Sequence, residues 1–200
     1  MKTAVFFATR EGQACRVAEH ISDTLREHGA IVDLFDVRNR REPVDWPAYQ
    51  TAFVVASVHL GRHEKEMIRF VRSERPELER LGAAFVSLSL SQAGAQDERR
   101  SADDRRRASA DVQGMIDAFV ADTGWQPAHV LPAAGALAYR QYNLLVRMVM
   151  KRIARANGAP TDASRNDEFT DWPSVDRFVE AVTPPFATRP TGFADRRRAS

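Results

Sequence analysis

An apolar segment at the N-terminus leads directly into a glycine turn and an amphipathic helix. A buried strand is predicted at Thr3–Ala8, and a helix is predicted over Gly12–His28 with Val17, Ile21 and Leu25 at helical spacing. The first amides of such a helix have no internal acceptor, and the helix dipole favours negative charge at that end. The turn therefore predicts an anion site, and phosphate is the expected anion.

The rest of the chain alternates between short apolar strands and amphipathic helices. Further strands are predicted at Ala30–Phe35, Thr51–Ser57, Ala83–Leu88 and near Ala128–Ala134. Further helices are predicted at Glu64–Arg75, Asp111–Thr123 and Trp172–Ala181, with a short separate piece at Pro76–Leu81. This alternation predicts an α/β fold with a doubly wound, five-stranded parallel sheet. The helix expected between the second and third strands is missing or degraded.

Three stretches do not fit a minimal fold of this type. Gln92–Ala110 is polar and rich in arginine, which predicts a mobile loop. Gly135–Asp171 forms a long insert after the last strand. The segment 184–200 is rich in proline, threonine and arginine, which predicts a disordered tail. The main domain is therefore predicted to span residues 1–183.

Composition excludes several classes of protein. The 200 residues and the apolar fraction of 44% suit one globular domain. The net charge of +2 is nearly balanced, and no aromatic residues interleave with the basic segments, so no nucleic-acid partner is expected. The single cysteine, Cys15, excludes an internal disulfide and a cysteine-rich metal site, and no metal is predicted. Neither a secretory signal nor a membrane span is predicted.

The glycine turn differs from the common nucleotide-binding loops. The dinucleotide motif Gly-x-Gly-x-x-Gly and the triphosphate motif Gly-Lys-Ser/Thr are both absent. The turn Thr9-Arg-Glu-Gly-Gln-Ala14 instead resembles the flavodoxin phosphate loop, Thr-x-Thr-Gly-x-Thr. In that fold FMN lies at the carboxyl ends of the strands, at the switch point of the sheet. A strand–glycine–helix turn also occurs in α/β proteins without a ligand, and this alternative stays open.

Two further loops are expected to surround the flavin ring, because they combine small residues with hydrogen-bonding groups. They follow the third and fourth strands and read Ser57-Val-His-Leu-Gly-Arg-His63 and Ser87-Leu-Ser-Leu-Ser-Gln-Ala-Gly94. His59 and His63 are either proton carriers or flavin partners, or else solvated loop histidines. The candidate cofactor-binding residues are Thr9, Arg10, Glu11, Gly12, Gln13, Ala14, Ser57, Val58, His59, Leu60, Gly61, Ser87, Leu88, Ser89 and Leu90. No general acid or base is identified.

Longer motifs resemble the flavodoxin-like, menaquinone-dependent protoporphyrinogen oxidases of bacterial haem synthesis, over about Met1–Val182. Thr9-Arg-Glu-Gly-Gln13 stands where that family has Thr-Arg-Asp-Gly-Gln, and Ala56-Ser-Val-His-Leu-Gly61 follows the third strand. The most specific motifs are Gly135-Ala-Leu-Ala-Tyr-Arg-Gln-Tyr142, Met148-Val-Met-Lys151 and Thr170-Asp-Trp172. Ordinary flavodoxins lack the long segment that carries them.

This resemblance implies a flavodoxin-like fold, FMN as prosthetic group, protoporphyrinogen IX as electron donor and a menaquinone-type quinone as acceptor. It also implies a cytoplasmic protein that lies on the inner face of the cell membrane. The chain departs from the pattern at Ala14, where a phosphate-binding threonine is lost, and at Leu60, which stands where an aromatic residue often lies near the ring. Glu11 puts a carboxylate in an anion-binding turn, although the family also accepts an acid there. The missing hydroxyl would weaken FMN binding by about 1 kcal/mol. The oligomeric state stays open.

The insert is predicted to contain a basic amphipathic helix at Asn143–Ala156. Arg147, Lys151 and Arg155 recur every four residues and form one stripe beside an apolar face, as in helices that bind anionic membranes. Alternatively the helix packs on the domain, or its arginines pair with the propionates of a tetrapyrrole. The candidate substrate and membrane residues are Tyr139, Arg140, Tyr142, Arg147, Lys151 and Arg155.

Two other functions stay open beside protoporphyrinogen oxidation. One is a flavodoxin-like electron carrier or a quinone reductase with another donor. The other is a domain that has lost its cofactor and acts as a membrane or protein adaptor, which the departures at Glu11 and Ala14 make conceivable.

Overall fold

Five parallel strands form the central sheet of the computed structural model, which describes residues 1–137 and 167–183. In chain order the strands are β1 (Lys2–Ala8), β2 (Ile31–Asp36), β3 (Thr51–His59), β4 (Arg62–His63), β5 (Ala84–Ser89), β6 (His129–Ala134), β7 (Ala136–Leu137) and β8 (Asp167–Glu168). The parallel sheet has the order β2-β1-β3-β5-β6, and β4 pairs antiparallel with the end of β3. The predicted doubly wound, five-stranded parallel sheet is therefore confirmed.

Helices cover both faces of the sheet. They are α1 (Gln13–Glu27), α2 (Lys65–Arg80), α3 (Leu90–Gln96), α4 (Ala102–Thr123) and α5 (Trp172–Val182). The helices α1 and α5 pack on one face, and α2 and α4 pack on the other. Neighbouring residues of β3 serve opposite faces, since Phe53 packs on the α1 side and Val54 on the α2 side. This explains why the strand is apolar along its whole buried length.

The connection between β2 and β3 contains no α-helix, as the sequence predicts. A single 3-10 turn at Trp46–Ala48 takes its place. Trp46 is buried there, and its ring lies 5.4 Å from that of Phe6 and 6.5 Å from that of Phe70. One aromatic side chain thus covers part of the sheet that a crossover helix would otherwise cover.

The predicted break in the second helix is wrong, because α2 runs without interruption from Lys65 to Arg80. Pro76 lies inside it and removes one backbone hydrogen bond. Leu78 is nevertheless fully buried and continues the apolar stripe of Met67 and Val71 beyond the proline. Packing of that stripe outweighs the lost bond, as it does in most helices of folded proteins.

The prediction of a loop at Gln92–Ala110 is also wrong for most of its length. Helix α3 covers its beginning, and α4 begins at Ala102 rather than at Asp111. The Ser101 hydroxyl caps α4 by accepting a hydrogen bond of 3.1 Å from the Asp104 amide. Asp103 and Asp104 place negative charge in the first turn, at the positive end of the helix dipole, which stabilises the helix. The serine cap and the two acidic residues therefore stabilise a helix in a segment that has few apolar residues.

The ends of the insert lie side by side. β7 and β8 pair antiparallel, with Ala136 opposite Glu168 and Leu137 opposite Asp167. The chain thus leaves the central sheet after β6, and the end of the insert returns to a position next to β7 before α5 begins. The predicted helix Asn143–Ala156 and the predicted tail at 184–200 lie outside the described residues.

Candidate functional site

The three segments singled out in the sequence meet at the carboxyl edge of the sheet. After β1 the chain enters α1 on one face, and after β3 it enters α2 on the other. The two chain paths diverge there and leave a crevice, which is the usual place for a ligand in open α/β sheets. The segment after β5 borders the same crevice, because β5 is the next strand in the sheet.

The turn between β1 and α1 has the geometry of an anion site. Gly12 has φ +88° and occupies the N-cap of α1, and its amide donates a 2.8 Å hydrogen bond to Thr9 Oγ1. No side chain caps the helix, and its first turn holds no acidic residue. A Cβ placed on Gly12 would meet no atom within 4 Å, so the helix N-terminus faces open space. These features fit a phosphate group.

The charged side chains of the turn contact the neighbouring segment instead of the open space. Arg10 Nε lies 2.7 Å from Glu64 Oε2, and the Glu64 side chain is only 2% exposed. This hydrogen-bonded pair raises the pKa of Arg10 above its usual value. Glu11 Oε1 lies 3.5 Å from His59 Nδ1. The turn after β1 is thus tied to the segment after β3 at two points.

Further partners of the turn come from distant parts of the sequence. Arg38 Nη1 donates a 2.6 Å hydrogen bond to the Thr9 carbonyl. Gln13 is buried, and its Nε2 donates to Thr170 Oγ1 at 2.7 Å, while the Thr170 hydroxyl donates to the Ala134 carbonyl at 2.9 Å. Sequence reasoning missed Arg38 and the role of Glu64. Thr170 was noticed only as part of a family motif.

The segment after β3 is a tight hairpin rather than an open loop. Val58 pairs with His63 and His59 with Arg62, so Leu60 and Gly61 form the two-residue tip. Both tip residues have positive φ, +51° and +76°, as the favoured hairpin turn requires. Glycine adopts this conformation freely, but it is unusual for leucine. The Leu60 side chain is 89% exposed at the edge of the crevice.

His63 is neither a solvated loop residue nor a surface proton carrier. The short strand β4 turns it inward, where it is 5% exposed and its ring lies 4.8 Å from that of Phe119. Nε2 shares a 2.9 Å hydrogen bond with Ser87 Oγ. Burial lowers the pKa of His63 to about 4, so the ring is neutral at pH 7.

The segment after β5 does not form the expected loop, because α3 begins at Leu90. Ser87 is buried and its hydroxyl is used by His63, while Leu88 packs in the core on the α1 side. Ser89 Oγ accepts a 3.3 Å hydrogen bond from the Gln92 amide and caps α3. Of these predicted cofactor residues, Leu90 alone is exposed, at 38%. The side chains of Ser87 and Leu88 therefore belong to the buried interior, and their predicted role in cofactor binding stays a prediction.

The remaining candidates are placed as follows. Ala14 lies in the first turn of α1 and is buried against the sheet, and Ser57, Val58 and His59 are half-buried along the hairpin. Tyr139, Arg140, Tyr142, Arg147, Lys151 and Arg155 lie outside the described residues. Within 1–137 and 167–183, no cluster of three or more His, Cys, Asp or Glu side chains could hold a metal ion. The described helices include none that is long and apolar enough to cross a bilayer.

Comparison with known proteins identifies the family. A model of the flavodoxin domain matches residues 4–164. The chain belongs to the flavodoxin domain family. This membership agrees with the strand order and with the anion turn, and it confirms FMN as the cofactor class.

Two relatives are described more specifically. Protoporphyrinogen IX dehydrogenase [quinone] of Escherichia coli (strain K12) is 28% identical over 91% of this chain and 94% of that protein. A Leishmania major protein of the same description is 26% identical over 100% of this chain and 80% of that protein. An archaeal flavodoxin structure, 12% identical, covers 91% of this chain with a TM-score of 0.47. The two relatives confirm the resemblance to the protoporphyrinogen oxidases, and the chain is an oxidoreductase of this flavodoxin-like type.

The buried His63 predicts a specific dependence of stability on pH. Because burial lowers its pKa from 6.5 to about 4, the unfolded chain binds a proton between these values that the folded chain does not. Stability is therefore lost as the pH falls from 6.5 to 4, by about 1.4 kcal/mol per pH unit from this group. The difference in free energy of unfolding between wild type and His63→Gln should shrink across that range in urea titrations.

The exposed His129 provides the control, because its side chain is in contact with solvent in the folded protein as in the unfolded chain. The variant His129→Gln should keep the wild-type slope. Equal slopes for His63→Gln and wild type would contradict the burial of a neutral ring.

Proposed function

We propose that the chain oxidises protoporphyrinogen IX to protoporphyrin IX with FMN and passes the electrons to a menaquinone-type quinone in haem synthesis. The observation that carries the proposal is the contact between the anion turn and the end of the insert. Gln13 reaches Thr170, which in turn bonds the end of β6 at Ala134. The segment that ordinary flavodoxins lack is thus fastened directly to the turn that would hold the cofactor. The names of the relatives support this reading.

The residues around the crevice would hold and orient FMN. The amides at the start of α1 would bind the phosphate, and Thr9 keeps the turn closed through its bond to Gly12. The Arg10–Glu64 pair fixes the turn relative to the hairpin. Leu60 and Leu90 expose apolar side chains at the same edge and would keep water from the ring. The bound flavin supplies the redox chemistry by accepting a hydride from the substrate.

We further propose that the insert brings the protein to the inner face of the cell membrane. The basic stripe Arg147, Lys151 and Arg155 would bind anionic headgroups, and the adjacent apolar face would enter the interface. Tyr139, Arg140 and Tyr142 would lie toward the substrate. Apolar quinone and porphyrinogen could then both arrive from the lipid phase.

Vesicle binding tests the membrane proposal. Each basic group near an anionic surface contributes about 1 kcal/mol, so replacing Arg147, Lys151 and Arg155 together by glutamine should weaken binding about a hundredfold. The measurement is cosedimentation with vesicles that contain anionic lipid, with neutral vesicles as control. Vesicle binding that changes neither with the three substitutions nor with the lipid charge would contradict the membrane proposal.

The redox proposal is tested on purified protein loaded with FMN under anaerobic conditions. Visible absorbance and the mass of the released compound identify the cofactor. Steady-state assays should then show protoporphyrin formation from protoporphyrinogen IX with a menaquinone analogue. Turnover with NAD(P)H alone would favour a quinone reductase with another donor. Colourless protein that takes up no FMN would favour an adaptor.

The anion turn can be tested with a matched pair of glycine substitutions. Gly12 and Gly29 have nearly the same backbone conformation, φ +88° and +83°, and a Cβ at either would meet no atom within 4 Å. Alanine should therefore strain both positions to a similar extent, by about 1 kcal/mol. Gly12→Ala also places a methyl group in the space for the phosphate and should raise the FMN dissociation constant about tenfold or more.

Gly29 lies at the other end of α1, away from the crevice, so Gly29→Ala should leave the FMN dissociation constant unchanged. Flavin fluorescence titration of the apoprotein measures both constants. Equal FMN affinity in the two variants would show that the turn at Gly12 does not bind the phosphate.

A further inference from the structure

A cavity of about 400 Å³ opens beside the hairpin tip, between the start of α3 and the middle of α4. Its lining residues are Gly61, Ser91, Ala110, Asp111, Gly114 and Met115. Gly61 and Ser91 belong to the two segments expected to surround the flavin ring, so the cavity would adjoin the cofactor site. Its volume falls within the range of about 300–1,000 Å³ that small-molecule sites occupy.

The helical glycine in the cavity wall has no structural explanation. A glycine inside a helix destabilises it relative to alanine, and it is usually kept for a positive φ or for close packing. Gly114 has no positive φ, and a Cβ there would meet no atom within 4 Å. The missing side chain leaves the backbone of α4 uncovered at this point of the cavity wall.

The charged groups of this wall have no partners within the described residues. Asp111 is exposed, and its carboxylate makes no hydrogen bond or ion pair with any residue of 1–137 or 167–183. Arg107 lies one turn earlier on the same face of α4, is exposed, and likewise has no ion pair in the described part of the chain. A hydrogen-bond acceptor therefore lines the cavity, and a cation lies one helical turn away from it on α4.

We propose that this cavity binds the edge of the porphyrinogen macrocycle, with Asp111 accepting hydrogen bonds from pyrrole N–H groups and Arg107 pairing with a propionate. The inference rests on the proposed function. A porphyrinogen offers N–H donors and carboxylates on one molecule, which matches this pair of charges. A quinone offers only carbonyl oxygens, which the Asp111 carboxylate would repel. The donor substrate thus lies on the α4 side of the flavin.

The first test fills the cavity without weakening the helix. Gly114→Leu should raise the KM for protoporphyrinogen IX about tenfold or more, while the FMN dissociation constant and the KM for the quinone stay unchanged. Leucine favours helix over glycine, so the Tm should rise by about 2–4 °C. A loss of substrate affinity in a more stable protein separates a binding role from a structural one.

Ala121→Leu is the matched control. Ala121 is exposed on the same helix, about two turns beyond Gly114, and does not line the cavity. This variant should keep the wild-type KM for both substrates.

The second test removes the charge of the acceptor. Asp111→Asn should raise the KM for protoporphyrinogen IX about tenfold and leave the KM for the quinone unchanged. Asp117→Asn is its control, because Asp117 bonds Gln113 at 2.8 Å on the same helix and lies outside the cavity lining. A KM for protoporphyrinogen IX that Asp111→Asn and Gly114→Leu both leave unchanged overturns the inference.

A binding measurement locates the ligand independently of turnover. Protoporphyrin IX, the stable product, should bind the FMN-loaded wild type in fluorescence titrations, and Gly114→Leu should weaken that binding. Competition between porphyrin and FMN would show that the cavity is the seat of the flavin ring, which overturns the inference. An FMN-loaded wild type that does not oxidise protoporphyrinogen IX overturns the proposed function and this inference together. Turnover by the wild type together with an unchanged KM for protoporphyrinogen IX in both Asp111→Asn and Gly114→Leu overturns the inference alone.

Discussion

The ion pair between Arg10 and Glu64 fixes the geometry on which the rest of the site depends. A buried carboxylate is unfavourable unless a cation and hydrogen bonds compensate for its lost hydration. Glu64 is almost fully buried at the start of α2, and the Arg10 guanidinium comes from the turn before α1. The pair can form only when the turn and the hairpin hold one relative position. The position of the turn relative to the hairpin across the crevice follows from it.

A second set of contacts joins this centre to the segment that distinguishes the chain from a simple electron carrier. Gln13 and Thr170 connect the start of α1 to the end of the insert, and β7 with β8 holds both ends of the insert beside β6. The insert therefore cannot change its attachment without affecting the turn. The proposed binding of a membrane or substrate by the insert and of a phosphate by the turn would therefore share these residues.

The sequence was sufficient to predict the sheet, but it was not sufficient to predict the polar contacts of the site. Strands such as β1 and β3 are apolar runs, and burial on both faces requires that composition. The helix at Ala102 was missed because serine capping and charge stabilise it, with few apolar residues to indicate its period. His63 was misplaced because a strand of two residues has no detectable pattern. The partners Arg10 and Glu64 are far apart in the chain, and no local signal relates them.

Two residues that oppose local backbone preference lie in or beside the same cavity. Leu60 adopts a left-handed conformation that suits glycine and precedes the lining residue Gly61, and Gly114 lines the cavity from inside α4, where alanine would stabilise the helix more. Neither choice improves packing, since Leu60 is exposed and Gly114 faces open space. Local violations of this kind are expected at functional positions, where binding rather than stability determines the residue. Their position beside one cavity supports the proposal that the α4 side of the crevice, and not only the phosphate turn, binds the donor substrate.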